Sequence, residues 1–312
     1  MNLINFTETY PDESSCKAAF KSYRDKEGVI CPRCDNKEHY WKKDKEMYEC
    51  KKCRTRQSLR SHTVMHGSQL PFRYWFIAMH LLTPTKKSFS ALELQHQLGH
   101  KYYEPIWAML HKLREAMGAR DDLYQLAGSM ELDDGFFSTD KKEKDKDEPL
   151  KRGRGSQKKS TVLVMVESEE TGNKKTKNGK SRKVDHLKMK VVEDLKSDTV
   201  TLEVEQNISA GSKIDSDDST SYVKLSEVVE VHNPQVIAKE DTNKILPWVH
   251  IAISNAKRLF LDVFHHMSPK YLQNYLNEYC YKFNRRYFGE KRFDRLLVAC
   301  VSHQNTFRYK VR

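Results

Sequence analysis

The spacing of apolar positions changes along the chain and divides it into stretches with different predicted structure. Between residues 70 and 82, "LPFRYWFIAMHLL" is apolar nearly all round, as a buried helix is. Ser88 or Ser90 then caps a helix carrying Leu92, Leu94 and Leu98, Gly99 supplies a turn, and Ile106, Leu110, Leu113 and Met117 recur at helical spacing. From residue 129 the period shortens. "SMELDDGFF" (129–137), "TVLVMVES" (161–168) and "HLKMKVVED" (186–194) read as three strands, the last two joined across Asn178-Gly179, a hairpin turn pair. A helix follows at 197–208 with Ser197 as its cap, and residues 212–225 read as a short strand, an acidic end and a helix. "EVVEVH" (227–232) predicts a fifth strand and "WVHIAISNAKRLFLDVF" (248–264) a helix.

Three consecutive antiparallel strands, a helix, a strand and another helix are the order of an RNase H-like α/β (α+β) core. In that order the first strand lies beside the fourth, so Asp133 meets an acid near Asp217, and the last helix brings a third group. The predicted domains are residues 1–60 (a short helix and a cysteine module), 61–125 (helical), 126–290 (the RNase H-like core) and 291–312 (a basic tail).

The cysteine module carries the strongest local pattern. "CPRC" (Cys31, Cys34) and "CKKC" (Cys50, Cys53) are separated by fifteen residues, a spacing that closes four thiolates tetrahedrally on one Zn²⁺. With four protein ligands the zinc is structural, and it supplies folding energy to a module too small for its own core. Tyr40, Trp41 and Tyr48 flank a polar turn and predict a hairpin, which claims His39 as a hairpin residue. Cys16, Cys280 and Cys300 have no partner in sequence and read as small buried hydrophobes.

Charge narrows the partners. The 312 residues carry a formal net charge of +12, which favours a polyanion, most simply double-stranded DNA. Residues 141–159 hold nine Lys/Arg against four acids, and "KKTKNGKSRK" (174–183) is a second basic stretch. Lys151, Arg152 and Arg154 in the first are candidate phosphate contacts. The helix, Gly99 turn and helix fit either a helix-turn-helix or an ordinary antiparallel pair; neighbouring Lys86, Lys87, Lys101, Lys112 and Arg114 tilt the reading toward DNA. No apolar run approaches the roughly 20 residues of a membrane span, and the N-terminus lacks the pattern of a signal peptide, so a cytoplasmic location is expected.

Taken in order, "GVICPRC" with "YECKKC", "ELDDGFF", "DDSTSY", "LPWVHIAISNAKR" and "FHHMSPKYLQNYLNEYCYKFNRR" resemble the zinc-ribbon DDE transposases of bacterial insertion sequences, the ISXO-like group. The resemblance covers nearly the whole chain. It implies binding of terminal inverted repeats, metal-dependent cleavage at element ends and strand transfer to target DNA by a dimer or higher oligomer near the nucleoid. Asp133 matches the family's first acid. Asp217 matches the second, because Tyr222 stands five residues on; Asp215 and Asp218 are alternatives. Lys257, followed by Arg258, matches a basic residue at the cleaved end. Two Mg²⁺ or Mn²⁺ ions are implied. The third acid is missing, since no acid lies between Asp241 and Asp262. His250 lies seven residues before Lys257 and shares its helix face, whereas Asn255 lies about 160° away. His250 is therefore the candidate third ligand, with Asn255 the alternative. A DNA-binding regulator derived from such a transposase, which binds but does not cut, and a nuclease or resolvase on the same fold, which cuts but does not join, are the competing readings.

Overall fold

The computed structural model describes residues 1–141, 145, 147, 149–153, 156–170, 182–236, 245–264 and 266–307. Arg154, the Asn178-Gly179 pair, most of the second basic stretch and Asp241 lie outside these residues. The chain forms two compact units, residues 1–120 with 285–312, and residues 121–284. No described helix is long and apolar enough to cross a membrane.

The first unit begins with α1 (Leu3–Thr9) and α2 (Glu13–Glu27). Asp12 caps α2 in a reciprocal box with Ser15, which satisfies amides at the helix start. Three short antiparallel strands follow: β1 (His39–Lys42), β2 (Met47–Cys50) and β3 (Arg56–Ser58). The aromatic pattern had predicted the first two; β3 is added by pairing Gln57 with Tyr48. Buried Arg24 on α2 donates to the carbonyls of Ser58 and Leu59, which anchors the helix to the small sheet. Helix α3 (Phe72–Leu82) buries Trp75, Phe76, Ala78, Met79 and Leu82, as its all-round apolar sequence requires. Ser90 caps α4 (Ala91–Leu98), Gly99 closes it in the left-handed conformation at φ 61°, and α5 (Tyr103–Asp121) follows. The first half of the segment 291–312, expected as a basic tail, is a helix, α9 (Arg292–Ser302), which buries Phe293, Leu296, Leu297 and Cys300. Beyond it, Glu115 of α5 accepts the amides of Thr306 and Phe307, and Phe307 stacks on His111.

The second unit is a five-stranded sheet between helices. Its strands are β4 (Ser129–Ser138), β5 (Lys159–Glu170), β6 (Arg182–Val192), β7 (Lys213–Asp217) and β8 (Val231–Gln235), in spatial order β6-β5-β4-β7-β8. The first three are antiparallel neighbours, while β4–β7 and β7–β8 are parallel. This is the RNase H-like order, with the first strand beside the fourth. Helix α6 (Ser197–Asn207) covers one face through Val200 and Val204, packed with Leu132, Leu163, Met165 and Ile214. Helices α7 (Pro247–Val263) and α8 (Leu272–Asn284) cover the other, against Phe137, Val162, Val164, Leu187 and Met189.

Two local expectations need correction. The cap of α6 is Lys196, not Ser197, and the side chain of Asp194 takes the Lys196 amide and the Thr199 hydroxyl. The fifth strand lies at Val231–Gln235 rather than 227–232; residues 225–227 form a 3-10 turn. It contains Pro234, which lacks an amide proton and is tolerated because β8 is an edge strand.

Candidate active site

Alternate residues of β4 face α7, and the two elements run side by side. Glu131 touches the start of α7 through the Trp248 and Val249 amides. Asp133 Oδ2 lies 3.5 Å from His250 Nδ1. A side chain at Gly135 would crowd Phe137 Cε2 at 3.2 Å on its own strand and touch Ile253 Cδ1 of the helix at an ordinary 3.5 Å. Phe137 packs against Phe260, 5.8 Å between ring centres, and under the Lys257 ammonium, 5.6 Å from its ring. The six residue steps of β4 from Glu131 to Phe137 advance about 20 Å and the eleven of α7 from Val249 to Phe260 about 16 Å, so the contacts progress along both elements together. Asp134, one residue from Asp133, points to the opposite face of the sheet; its amide donates to Asp133 Oδ1 at 2.8 Å.

Strand β7 sets acids beside those of β4. Glu131 is in register with Asp215 and Leu132 with Ser216; the next residues along each strand are Asp133 and Asp217. Asp217 ends β7, and its Oδ1 accepts the Ser219 amide at 3.3 Å. Burial holds the His250 imidazole below its usual pKa, opposed by the charge of Asp217. His250 Nε2 is buried without a hydrogen-bond partner among the described residues. Asp133, Asp217 and His250 do not all lie within 4.8 Å of one another, unlike the zinc-type cysteine cluster; ligands shared between two ions some 3.5–4 Å apart need not. Lys257 is lowered by burial and by neighbouring Lys159, with Asp133 opposing. The Lys257 ammonium thus feels both the Lys159 charge and the acid. Burial pushes Glu131 up to about 7, with Asp215 adding to it, against the lowering by the Val249 and Trp248 amides.

In the first unit the four cysteine sulfurs converge within 4.8 Å of one another, with Cys31–Cys53 at 3.4 Å and Cys34–Cys50 at 3.6 Å. The two CxxC segments repeat one backbone geometry. The Asp35 amide donates to Cys31 O and the Arg54 amide to Cys50 O, and both Asp35 and Arg54 are left-handed. The Cys31 and Cys50 amides close each loop on Asn36 O and Thr55 O. Four convergent sulfurs on paired loops fit tetrahedral Zn²⁺. His39 lies outside this cluster, its ring nitrogens near Lys37 O and Gln57.

The ISXO2-like transposase domain family matches residues 125–284, and the transposase zinc-ribbon domain matches residues 11–56. The chain belongs to the ISXO2-like transposase family. No curated protein matches it significantly. The crystal structure of a pre-cleavage Mos1 transpososome aligns over 78% of this chain and 82% of that chain at 11% identity, with a TM-score of 0.29, too low to carry an argument.

Within this transposase the other anticipated residues fall in several places. Asn255 is exposed on α7, as is Arg258. Asp215 Oδ1 accepts from Asn233, and Asp218 is exposed beyond the end of β7. Lys151 and Arg152 are exposed. Arg114 is 1% exposed, with its guanidinium toward Phe89 O, so burial removes it as a phosphate contact. Lys112 is half-buried and donates to His66 O at 2.9 Å; Lys86 and Lys87 are exposed in the α3–α4 connection and Lys101 in the α4–α5 turn. Glu131 carries no motif in sequence; its only signal there is an acid on the same strand face as Asp133.

Proposed function

We propose that this transposase cleaves DNA strands at the ends of its element and transfers them to target DNA, with Asp133, Asp217 and His250 as ligands of Mg²⁺ or Mn²⁺. The observation that carries this reading is the approach of His250 to Asp133 at 3.5 Å, on a strand whose parallel neighbour ends in Asp217. The donor set fits a divalent cation: two carboxylates and an imidazole kept neutral by burial, whose Nε2 has no partner among the described residues. When bound, such ions activate an attacking oxygen and stabilise the leaving one. Lys257, with Lys159 beside it, supplies positive charge for the scissile phosphate. Lys151, Arg152, Arg154 and Arg258 extend that charge along the DNA, while the ribbon and the α3–α5 region with Lys86, Lys87 and Lys101 grip the terminal repeats. Pairing two ends calls for a dimer or larger assembly.

The test uses labelled element ends with Mg²⁺ or Mn²⁺. Asp133→Asn and Asp217→Asn should each reduce cleavage and strand transfer to background while a band shift persists. Normal cleavage by Asp217→Asn moves the second ligand to Asp215 or Asp218. A wild-type protein that binds ends but never nicks them would leave a DNA-binding regulator instead.

A further inference from the structure

The start of α7 satisfies its backbone from a distant strand. A helix leaves its first amides without partners inside the helix. Pro247 opens α7 and has no amide proton, and the His250 amide reaches Leu246 O at 3.4 Å. The two amides between them, Trp248 and Val249, donate to a single atom, Glu131 Oε2, at 2.7 and 2.9 Å. The residue before the helix, Leu246, offers no side-chain cap. One carboxylate oxygen on β4 therefore closes the helix start.

Position makes this more than capping. An ordinary cap comes from the residue just before the helix. Here it comes from the strand bearing Asp133, two residues earlier on the same face. The bonded amides precede His250 by one and two residues. A slip of α7 by one residue would turn His250 by about 100°. Glu131 is 7% exposed, so water does not readily replace it.

We infer that Glu131 is a positioning residue for the transposition chemistry: it registers α7 on β4 and so delivers the His250 imidazole to Asp133. The inference rests on the reading of Asp133 and His250 as active-site groups. Because both bonds end on one oxygen, the register needs an acceptor at that place and not a full carboxylate. Glutamine can supply it and alanine cannot.

The test reads the imidazole directly in metal-free, ¹⁵N-histidine-labelled protein by NMR, assigning His250 by its loss in His250→Ala, and reads cleavage in parallel. Glu131→Gln should leave the His250 signal in place and keep cleavage close to wild type. Glu131→Ala should move that signal and cut cleavage by about 10–100-fold, the range for groups that orient a ligand, with affinity for element ends unchanged. Glu131→Asp, which keeps the acid but falls short of the amides, should shift both in the same direction and serves if the alanine variant does not fold. An unmoved His250 signal in the alanine or aspartate variant overturns the inference. So does a glutamine variant as impaired as alanine. Asp133→Asn reports separately: if it cleaves normally, the site reading fails, while the NMR result still decides whether Glu131 sets the register.

Discussion

Imidazole is a softer ligand than carboxylate, and Mg²⁺ favours oxygen more strongly than Mn²⁺ does. On the proposed ligand set, with His250 in place of a third carboxylate, the site has one negative charge fewer. Cleavage should therefore be faster with Mn²⁺ than with Mg²⁺, and His250→Glu should move the preference toward Mg²⁺. Asn255→Ala should cleave normally, because that side chain is exposed. A dead Asn255→Ala with an active His250→Ala would reverse the assignment. At this scale the sequence is readable where one residue decides direction: strand alternation puts Asp133 and Asp134 on opposite faces of the sheet, and helical spacing pairs His250 with Lys257. Glu131 was not readable in the same way. Alternation puts it on the Asp133 face, but its partners lie 117 and 118 residues away, and no local pattern states which amides a buried acid will find.

Helix α8 shows what its motif-rich sequence does for the element it covers. Gln273 accepts from the Val191 amide at 2.8 Å and donates to Met189 O at 3.0 Å. Eleven residues on, about three turns along the helix, Asn284 accepts from the Leu187 amide and donates to Leu187 O, both at 2.9 Å. Strand β6 is the edge of the sheet, and these amides occupy backbone groups that an open edge would expose. Asn284 also reaches Asp121 at 3.2 Å and Tyr124 at 3.0 Å. Asn284→Ala leaves several buried groups unpaired and should cost about 3 kcal/mol, given ~1–3 kcal/mol for an orphaned buried group; urea unfolding of the purified protein measures it. A loss under about 0.5 kcal/mol would show that water replaces the amide. Strands rich in Val, Ile and Leu were readable as elements. The strand at 231–235 was not, because "VHNPQ" is polar and holds a proline, and its pairing with β7 decides it rather than propensity. The C-terminal segment shows the converse: its charges stand out in sequence, while the apolar face of α9 is what packs.

Across the whole chain the ribbon draws its stability from a different source than the apolar cores of the rest. The second unit has apolar clusters on both faces of its sheet. The ribbon in the first has three strands of three or four residues, too short to bury much apolar surface, and structural zinc supplies about 10–16 kcal/mol in small modules of this kind. Loss of the metal should thus unfold the ribbon and loosen α2, whose Arg24 is bonded to ribbon carbonyls, while the sheet of the second unit persists. Cys34→Ser should lower zinc content by about one ion per chain. Hydrogen exchange should then quicken in β1–β3 and α2, with protection in β4–β6 unchanged and binding to element ends weakened. Unchanged zinc content would refute the four-cysteine site. Protection lost equally in both units would show that the sheet does not stand without the metal.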